Sequence, residues 1–210
     1  MSKRPRTVLV LGATGAIGRT FVGHALRERP DWSLVAWVRP PSLHKLAAIA
    51  DRLEVRAVDV ARPAPNDWPA RLDAVVNCMG SNYVAGDAAE FWRIDHAAPL
   101  ALAAEGKRRG CETFVLLSAL GAHARSPFVF LRTKGVLARD LAALGLTHLH
   151  IVTPPFVVDS TVPRAWYERL VLAANLRLAP LLRGPLAPLR PVTRADVAAE
   201  LVRVLDRCFE

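Results

Sequence analysis

The chain has 210 residues, of which 52% are apolar and 22% are charged, a composition that suits one folded domain and excludes an intrinsically disordered protein. The formal net charge is +9, but the basic residues are scattered, and Lys107-Arg108-Arg109 is their one compact internal run. No nucleic-acid partner is therefore expected, since binding to nucleic acid favours a dense basic surface.

Short apolar runs alternate with helix-compatible segments, a pattern typical of parallel strands joined by crossover helices. The runs are continuous rather than alternating in polarity, which favours a sheet covered on both faces. Strands are predicted at 7–11, 33–38, 53–58, 73–79, 113–118 and 147–152, and helices at 16–29, 42–50, 87–109, 127–144 and 193–208. Pro99 is expected to kink or divide the third helix, and the Pro-rich stretch 62–69 to form a loop or short turn. The pattern predicts a doubly wound parallel sheet in a three-layer α/β/α arrangement, with residues 1–210 as a single domain.

The segment 165–189 is very apolar but contains three arginines and three prolines. It is too interrupted to span a membrane. Residues 153–191, which contain this segment, are expected to cover the substrate cleft. An alternative interpretation is that residues 165–189 make a weak contact with a membrane surface.

Three cysteines, Cys78, Cys111 and Cys208, are odd in number and far apart in the sequence. This spacing predicts neither a disulfide framework nor a zinc site, and it favours a cytoplasmic protein. His148 and His150 lack a nearby third ligand, so no metal site is predicted.

A glycine-rich motif, GATGAIG at residues 12–18, follows the first predicted strand and opens the first predicted helix. In such a unit the glycines permit a tight turn and a close backbone approach to a pyrophosphate, and the helix start offers free N–H groups to the anion. Ordinary turn glycines are the alternative, but strand, motif, helix and next strand all fall in the required order. The motif predicts a Rossmann fold, with the cofactor-binding residues Gly12, Thr14, Gly15, Ala16, Ile17 and Gly18.

The end of the second predicted strand carries Arg39, at the distance from the glycines where an acidic residue would select NAD and an arginine would accept the 2′-phosphate of NADP. NADP(H) is therefore predicted in preference to NAD(H), although an exposed arginine without a ligand is the plain alternative. Asp59 and Val60, at the end of the third predicted strand, are expected to contact the adenine.

With these motifs the sequence resembles the atypical short-chain dehydrogenases/reductases, especially the NmrA-like and Tat-interacting-protein-like NAD(P)H-binding groups. The resemblance spans nearly the whole chain and includes Asn77-Cys78-Met79-Gly80, Ser118, Lys134-Gly135 and Thr153-Pro154-Pro155-Phe156. It implies that Gly80 and Ser81 line the cofactor's path and that Pro154, Pro155 and Phe156 border the nicotinamide. Cys78 and Met79 are also expected to bind the cofactor, and Ser81 is expected to reach the substrate as well.

The resemblance also implies a catalytic set of serine, tyrosine and lysine. Ser118 matches the serine that holds the substrate oxygen, and Lys134 matches the lysine that binds the ribose. The tyrosine position, four residues before Lys134, is Phe130. Phenylalanine has no proton to donate to a developing alkoxide, so ordinary carbonyl reduction is in doubt. The neighbouring helix position that is often Asn in these proteins is Asp95.

Three interpretations of Phe130 remain open at this point. Tyr83 would supply a hydroxyl from another side of the pocket; the acceptor would be a conjugated molecule that takes its proton from solvent; or the chain would bind the coenzyme without turnover. We therefore expect an NADPH-dependent oxidoreductase acting on a small apolar or conjugated molecule, with Ser81, Tyr83 and Phe130 at the substrate. The alternative is a noncatalytic NADP(H)-binding regulatory or accessory protein. The sequence indicates no oligomeric state.

Overall fold

Six parallel strands form the sheet at the centre of the fold, and the computed structural model describes residues 4–81, 87–159 and 190–210. The strands are β1 (Arg6–Leu11), β2 (Trp32–Val38), β3 (Glu54–Ala57), β4 (Ala74–Asn77), β5 (Thr113–Leu117) and β6 (His148–Val152). Their order in the sheet is β3-β2-β1-β4-β5-β6, and every neighbouring pair is parallel. The predicted doubly wound α/β fold is confirmed.

Helices cover both faces of this sheet. They are α1 (Ala16–Glu28), α2 (Ala88–Trp92), α3 (Ala98–Arg108), α4 (Val129–Ala143) and α5 (Arg194–Phe209), with 3₁₀ segments at Pro40–Arg52 and Pro65–Asp67 and a π-helical turn at Arg93–Ala97. On one face, Phe21 of α1 and Leu201 of α5 pack in one apolar cluster with Val8 of the sheet. On the other face, Leu102 of α3 and Leu137 of α4 pack in a second cluster with Leu9. Successive residues of β1 thus serve opposite cores, which explains its continuous apolar sequence.

One predicted helix differs from expectation, and a second is divided as predicted. The helix predicted at 42–50 is a 3₁₀ segment, in which the Ser42 N–H bonds to the Arg39 carbonyl at 2.8 Å. The helix predicted at 87–109 is divided near Pro99, which has no N–H for the helical bond to the Asp95 carbonyl. A π turn at this division carries Asp95 itself.

The strand order reverses between β1 and β4, because the chain runs outward from β1 to β3 and then returns to the other side of β1. Ligands of open α/β sheets bind outside the carboxyl ends of the strands at such a reversal. Strand β4 ends at Asn77, two residues earlier than predicted, so residues 78–80 leave the sheet at this point. The fold therefore brings residues 12–18 and 78–80 to one edge.

Helix α4 lies unusually close to the loop that precedes it. A Cβ atom on Gly135 would lie 2.2 Å from the carbonyl carbon of His123 and 2.4 Å from the backbone nitrogen of Ala124. The His123 N–H also bonds to the Leu131 carbonyl at 3.2 Å. Backbone therefore meets backbone here, and only glycine fits at position 135 without displacement.

Candidate functional site

The loop between β1 and α1 forms a cradle of closely packed backbone. Gly12 has φ of +76°, and a Cβ atom there would lie 2.6 Å from the carbonyl carbon of Cys78. A Cβ atom on Gly18 would lie 2.2 Å from the Gly12 carbonyl oxygen. The Gly15 N–H bonds to that oxygen at 3.0 Å, and Gly15 begins α1 without a side-chain cap. The first amides of α1 are thus left for an anion, and the absence of side chains fits the diphosphate of a dinucleotide.

The remaining residues of the motif take different positions in this cradle. Ala13 is buried, whereas Thr14 and Ala16 are half-buried beside the exposed Gly15. Ile17 packs against the apolar cluster beneath α1. Within one helical turn, the motif thus passes from exposed backbone at Gly15 to a side chain packed on the core at Ile17.

Charged side chains gather where β2 and β3 end. Arg39 is exposed directly after β2, and the Asp59 carboxylate accepts a bond from the Ala61 N–H at 3.0 Å. Nearby, Arg93 donates to the two carboxylate oxygens of Glu90 at 2.6 and 2.7 Å. That hydrogen bond lowers the pKa of Glu90, and the positive charge of Arg39 lowers it further. The sequence-based prediction named Arg39 and Asp59 but missed Glu90 and Arg93, whose position depends on where α2 returns to the sheet.

Residues 78–80 form the floor of the site beside the cradle. The Cys78 N–H bonds to the Leu11 carbonyl at 2.9 Å, and the Met79 N–H bonds to the Asn77 side-chain oxygen at 3.0 Å. Burial raises the pKa of the Cys78 thiol to about 12, although the Lys134 ammonium opposes the shift. The thiol is therefore neutral at physiological pH and is a poor nucleophile. Gly80 is exposed, so a ligand has access to the backbone here.

Lys134 of α4 is buried in an ion pair with Asp95 of the π turn. The two side chains are 5% and 0% exposed, and Lys134 Nζ lies 2.9 Å from Asp95 Oδ1. The same ammonium donates to the Met79 carbonyl at 3.3 Å. Asp95 Oδ2 accepts bonds from the Ser81 N–H at 2.8 Å and the Ser81 hydroxyl at 2.6 Å. Ser81, predicted at the substrate, thus has its hydroxyl engaged by a carboxylate.

Several buried polar atoms make no hydrogen bond in the part of the chain that the structure describes. They include the Ser118 hydroxyl, directly after β5, the side-chain nitrogen of Asn77 at the end of β4, and Asp95 Oδ1, which meets Lys134 as an ion pair only. Buried polar groups are seldom left unpaired in folded proteins. The Ser118 hydroxyl is at the same edge of the sheet as the glycine cradle, with β4 between their strands, and its role in holding the substrate oxygen stays a prediction.

Phe130 lies on the first turn of α4 and is 38% exposed. Its ring lies 6.2 Å, centroid to centroid, from that of Phe91 in α2. Four residues, or about one helical turn, separate it from Lys134. The structure therefore places an apolar, partly exposed ring where a phenol would lie one turn from the lysine.

The chain beyond β6 contributes backbone groups. The Pro154 carbonyl accepts a bond from the Leu120 N–H at 3.1 Å, and the Phe156 carbonyl accepts one from the Val192 N–H at 3.0 Å. Both residues are half-buried. Two sequence-based predictions lie outside the described residues. They concern Tyr83 and residues 160–189, which include the segment 165–189 and most of the cleft cover predicted at 153–191.

Neither a metal cluster nor a membrane-spanning helix is found in the ranges 4–81, 87–159 and 190–210. No group of three His, Cys, Asp or Glu side chains there would hold a metal ion. No helix there is long and apolar enough to cross a bilayer.

Curated proteins from yeasts are similar to this chain. It is 36% identical over 151 residues to "Protein FMP52, mitochondrial" of Saccharomyces cerevisiae, a match covering 70% of this chain and 63% of that protein. It is 27% identical over 214 residues to "Protein FMP52-1, mitochondrial" of Scheffersomyces stipitis, covering 97% of this chain and 90% of that protein. The match to the Saccharomyces protein thus spans less than two thirds of that relative's length.

These names correct one prediction. The cytoplasmic location inferred from the cysteines is wrong, because the similar proteins of Saccharomyces cerevisiae, Eremothecium gossypii and Candida albicans are all named as mitochondrial. Unpaired cysteines report a reducing environment, and they do not distinguish the cytoplasm from an organelle that is also reducing.

Solved structures share the fold. A short-chain type dehydrogenase/reductase from Mycobacterium ulcerans superposes with a TM-score of 0.71 at 20% identity, covering 98% of this chain and 84% of that one. The Bordetella bronchiseptica enzyme WbmH, solved in complex with NAD⁺, superposes with a TM-score of 0.66 at 14% identity, covering 97% and 73%.

The family itself is identified by a sequence match to residues 8–130. This range includes the glycine cradle, the charged residues that follow β2 and β3, the π turn with Asp95, and Phe130. More than half of the chain is covered. Its glycine loop, its strand order and this match agree, and the chain belongs to the NAD-dependent epimerase/dehydratase family, within the NAD(P)-binding short-chain dehydrogenase/reductase superfamily.

Proposed function

We propose that this chain is an NADPH-dependent oxidoreductase of the atypical short-chain dehydrogenase/reductase type that acts on a small apolar or conjugated acceptor. Quinones, flavins and carbonyl compounds are the acceptor classes. One observation carries the proposal: the glycine cradle, the buried Lys134 ammonium and the Ser118 hydroxyl, unpartnered among the described residues, all lie at the carboxyl edge of one sheet.

The side chains divide the work as follows. When bound, the coenzyme would supply a hydride. Lys134 would hold its ribose, and Ser118 would donate a hydrogen bond to the acceptor oxygen. Phe130 has no acidic proton, so the proton comes from solvent.

The absence of a positioned acid favours one kind of acceptor. Hydride addition leaves negative charge on the acceptor, and a conjugated ring system spreads that charge without immediate protonation. The partly exposed Phe130 ring, with Phe91 behind it, offers an apolar wall for such a ring. Quinones and flavins are therefore expected to be reduced faster than simple ketones.

NADPH oxidation, followed by its near-ultraviolet absorbance, tests the proposal against a panel of quinones, flavins, aldehydes and ketones. We expect turnover with at least one conjugated acceptor and little with aliphatic ketones. Clear NADPH binding without oxidation by any member of the panel would contradict an enzymatic role.

A noncatalytic NADP(H)-binding protein is the second candidate, and a specific observation favours it. The ammonium of Lys134 is already paired with the Asp95 carboxylate at 2.9 Å, and no phenol lies one turn before it. Such a site would retain the coenzyme without providing an acid, and the coenzyme would then stabilise the fold or report the redox state.

Arg39 is proposed to select NADPH over NADH. Its guanidinium is exposed directly after β2, where it can bind a 2′-phosphate through two parallel hydrogen bonds. Arg39→Ala is expected to weaken NADPH binding by about 1–3 kcal/mol and to leave NADH binding unchanged. Calorimetric titration with each coenzyme measures the difference. The control is Arg203→Ala, which removes an exposed guanidinium from α5 and is expected to change neither affinity; equal losses for both coenzymes in Arg39→Ala would remove Arg39 from the phosphate site.

A further inference from the structure

We infer that Asp95 is a positioning residue of this site, which holds the Lys134 ammonium and the Gly80–Ser81 backbone in the arrangement that a bound nicotinamide ribose requires. The inference rests on the proposed function, and it assigns to Asp95 a role in ligand binding in addition to its ion pair.

The two oxygens of the Asp95 carboxylate have separate partners. Oδ1 lies 2.9 Å from Lys134 Nζ, and Oδ2 accepts both the Ser81 N–H at 2.8 Å and the Ser81 hydroxyl at 2.6 Å. One fully buried group therefore joins α4 to the segment that continues β4. A shift of Ser81 would lengthen its two hydrogen bonds to Asp95, and a shift of Lys134 would lengthen the ion pair.

Gly80 lies directly over this ion pair. A Cβ atom at Gly80 would lie 3.4 Å from both Asp95 Oδ1 and Lys134 Nζ. Gly80 is also exposed, so the bare backbone separates the ion pair from solvent by little more than one layer of atoms. A ligand that passes over Gly80 therefore comes close to the ammonium.

The ammonium keeps donors for such a ligand. A lysine ammonium has three N–H donors, and Lys134 gives one to the Met79 carbonyl, while Asp95 Oδ1 lies 2.9 Å from its nitrogen in an ion pair. The hydrogen bond and the ion pair together hold the ammonium in place. Asp95 therefore sets where Lys134 presents its charge and its remaining donors to a ligand, which a flexible, solvated lysine would not do.

A purely structural role explains this pair less well. A buried ion pair is often no more stabilising than apolar side chains of the same volume, because both charges lose their hydration. The pair also lies in a π turn, Arg93–Ala97, and such turns are frequent at functional sites. A pair that adds little stability but fixes an ammonium at a ligand-facing edge is suited to orientation.

Two ligands separate a positioning role from a structural one. NADPH contains the nicotinamide ribose, whereas 2′,5′-ADP carries only the adenosine half with its phosphates. Asp95→Asn is expected to weaken NADPH binding roughly ten- to a hundredfold and to change 2′,5′-ADP binding less than about twofold. Calorimetric titration of the full chain measures both. A variant that only damaged the fold would lose both ligands together, and that result would overturn the inference.

The variant Asp95→Glu keeps the test decisive if the unpaired ammonium prevents Asp95→Asn from folding. It leaves the buried ammonium paired with a carboxylate but lengthens the side chain by one methylene and so displaces Lys134. It is expected to weaken NADPH binding roughly tenfold and to retain 2′,5′-ADP. Asp140→Asn is the matched control, because Asp140 is also on α4 and its carboxylate bonds to His96 Nε2 at 2.8 Å. It is expected to bind both ligands as the unmodified chain does.

Unaltered NADPH affinity in Asp95→Glu would overturn the inference alone. If the unmodified chain bound neither NADPH nor 2′,5′-ADP, the proposed function itself would fail, and the role assigned to Asp95 would fall with it. The two failures are therefore distinguished by the unmodified protein.

Discussion

Replacing Gly18 with alanine is expected to abolish dinucleotide binding. The added Cβ would lie 2.2 Å from the Gly12 carbonyl oxygen and 2.9 Å from its carbonyl carbon, so the backbone of the cradle must move. Misplacing several amides that bind a diphosphate is expected to lower affinity by roughly a hundredfold or more, which corresponds to about 3 kcal/mol. Overpacking of this kind also lowers the free energy of unfolding by about 1–3 kcal/mol. Calorimetric titration and chemical denaturation measure the two effects.

Gly23 provides the control in the same helix. A Cβ atom there has nothing within 4 Å, so Gly23→Ala is expected to stabilise α1 by about 0.5–1 kcal/mol and to leave ligand binding unchanged. Gly18→Ala with undiminished affinity for both nicotinamide coenzymes would contradict the assignment of residues 12–18 as the diphosphate site.

Restoring a phenol at position 130 is expected to produce the second large effect. Phe130→Tyr should raise the rate of NADPH-dependent aldehyde or ketone reduction by roughly a hundredfold, the lower range of what a positioned general acid contributes. The side chain is 38% exposed, so the new hydroxyl can reach water and need not be buried without a partner. Initial rates at saturating NADPH measure the gain.

Phe128 is the matched control for this substitution. It lies at the N-terminus of the same helix and is 67% exposed, so Phe128→Tyr adds the same hydroxyl where no role is proposed. No gain is expected from it. If Phe130→Tyr also gained nothing while NADPH bound normally, the site would lack other parts of a carbonyl-reducing site besides the phenol.

Much of the fold was predictable because its signals are local in sequence. The apolar run Val8–Leu11 is continuous because successive side chains enter opposite cores, and the glycines of the cradle follow it directly. The parallel sheet, the strand bounds to within about two residues and the steric demands at Gly12 and Gly18 all follow from such patterns. The place of Arg39 directly after β2 was predictable for the same reason, since its distance from the glycines is fixed by one helix and one strand.

The interior of the site was less predictable because it depends on contacts between distant segments. Asp95 and Lys134 are 39 positions apart in the sequence, and their pairing requires the π turn, whose form does not follow from the presence of Pro99. The sequence showed that Asp95 occupies a position that is often Asn in similar proteins. The contacts of Asp95 with Lys134 and Ser81 could not be predicted, because a difference in residue type does not show which side chains lie nearby in the fold. The same limit applies to Glu90 and Arg93, which meet the ends of β2 and β3 only after the chain has returned to the sheet.

The backbone contact at Gly135 has a consequence for how this site can change. With no side chain between α4 and residues 123–124, a shift of the helix toward this loop would bring backbone against backbone. The close packing at Gly135 therefore helps to fix where α4 places Phe130 and Lys134. New chemistry at this edge is accessible through exchange of individual side chains on a stationary frame, whereas relocation of the helix would require rebuilding the loop beneath it.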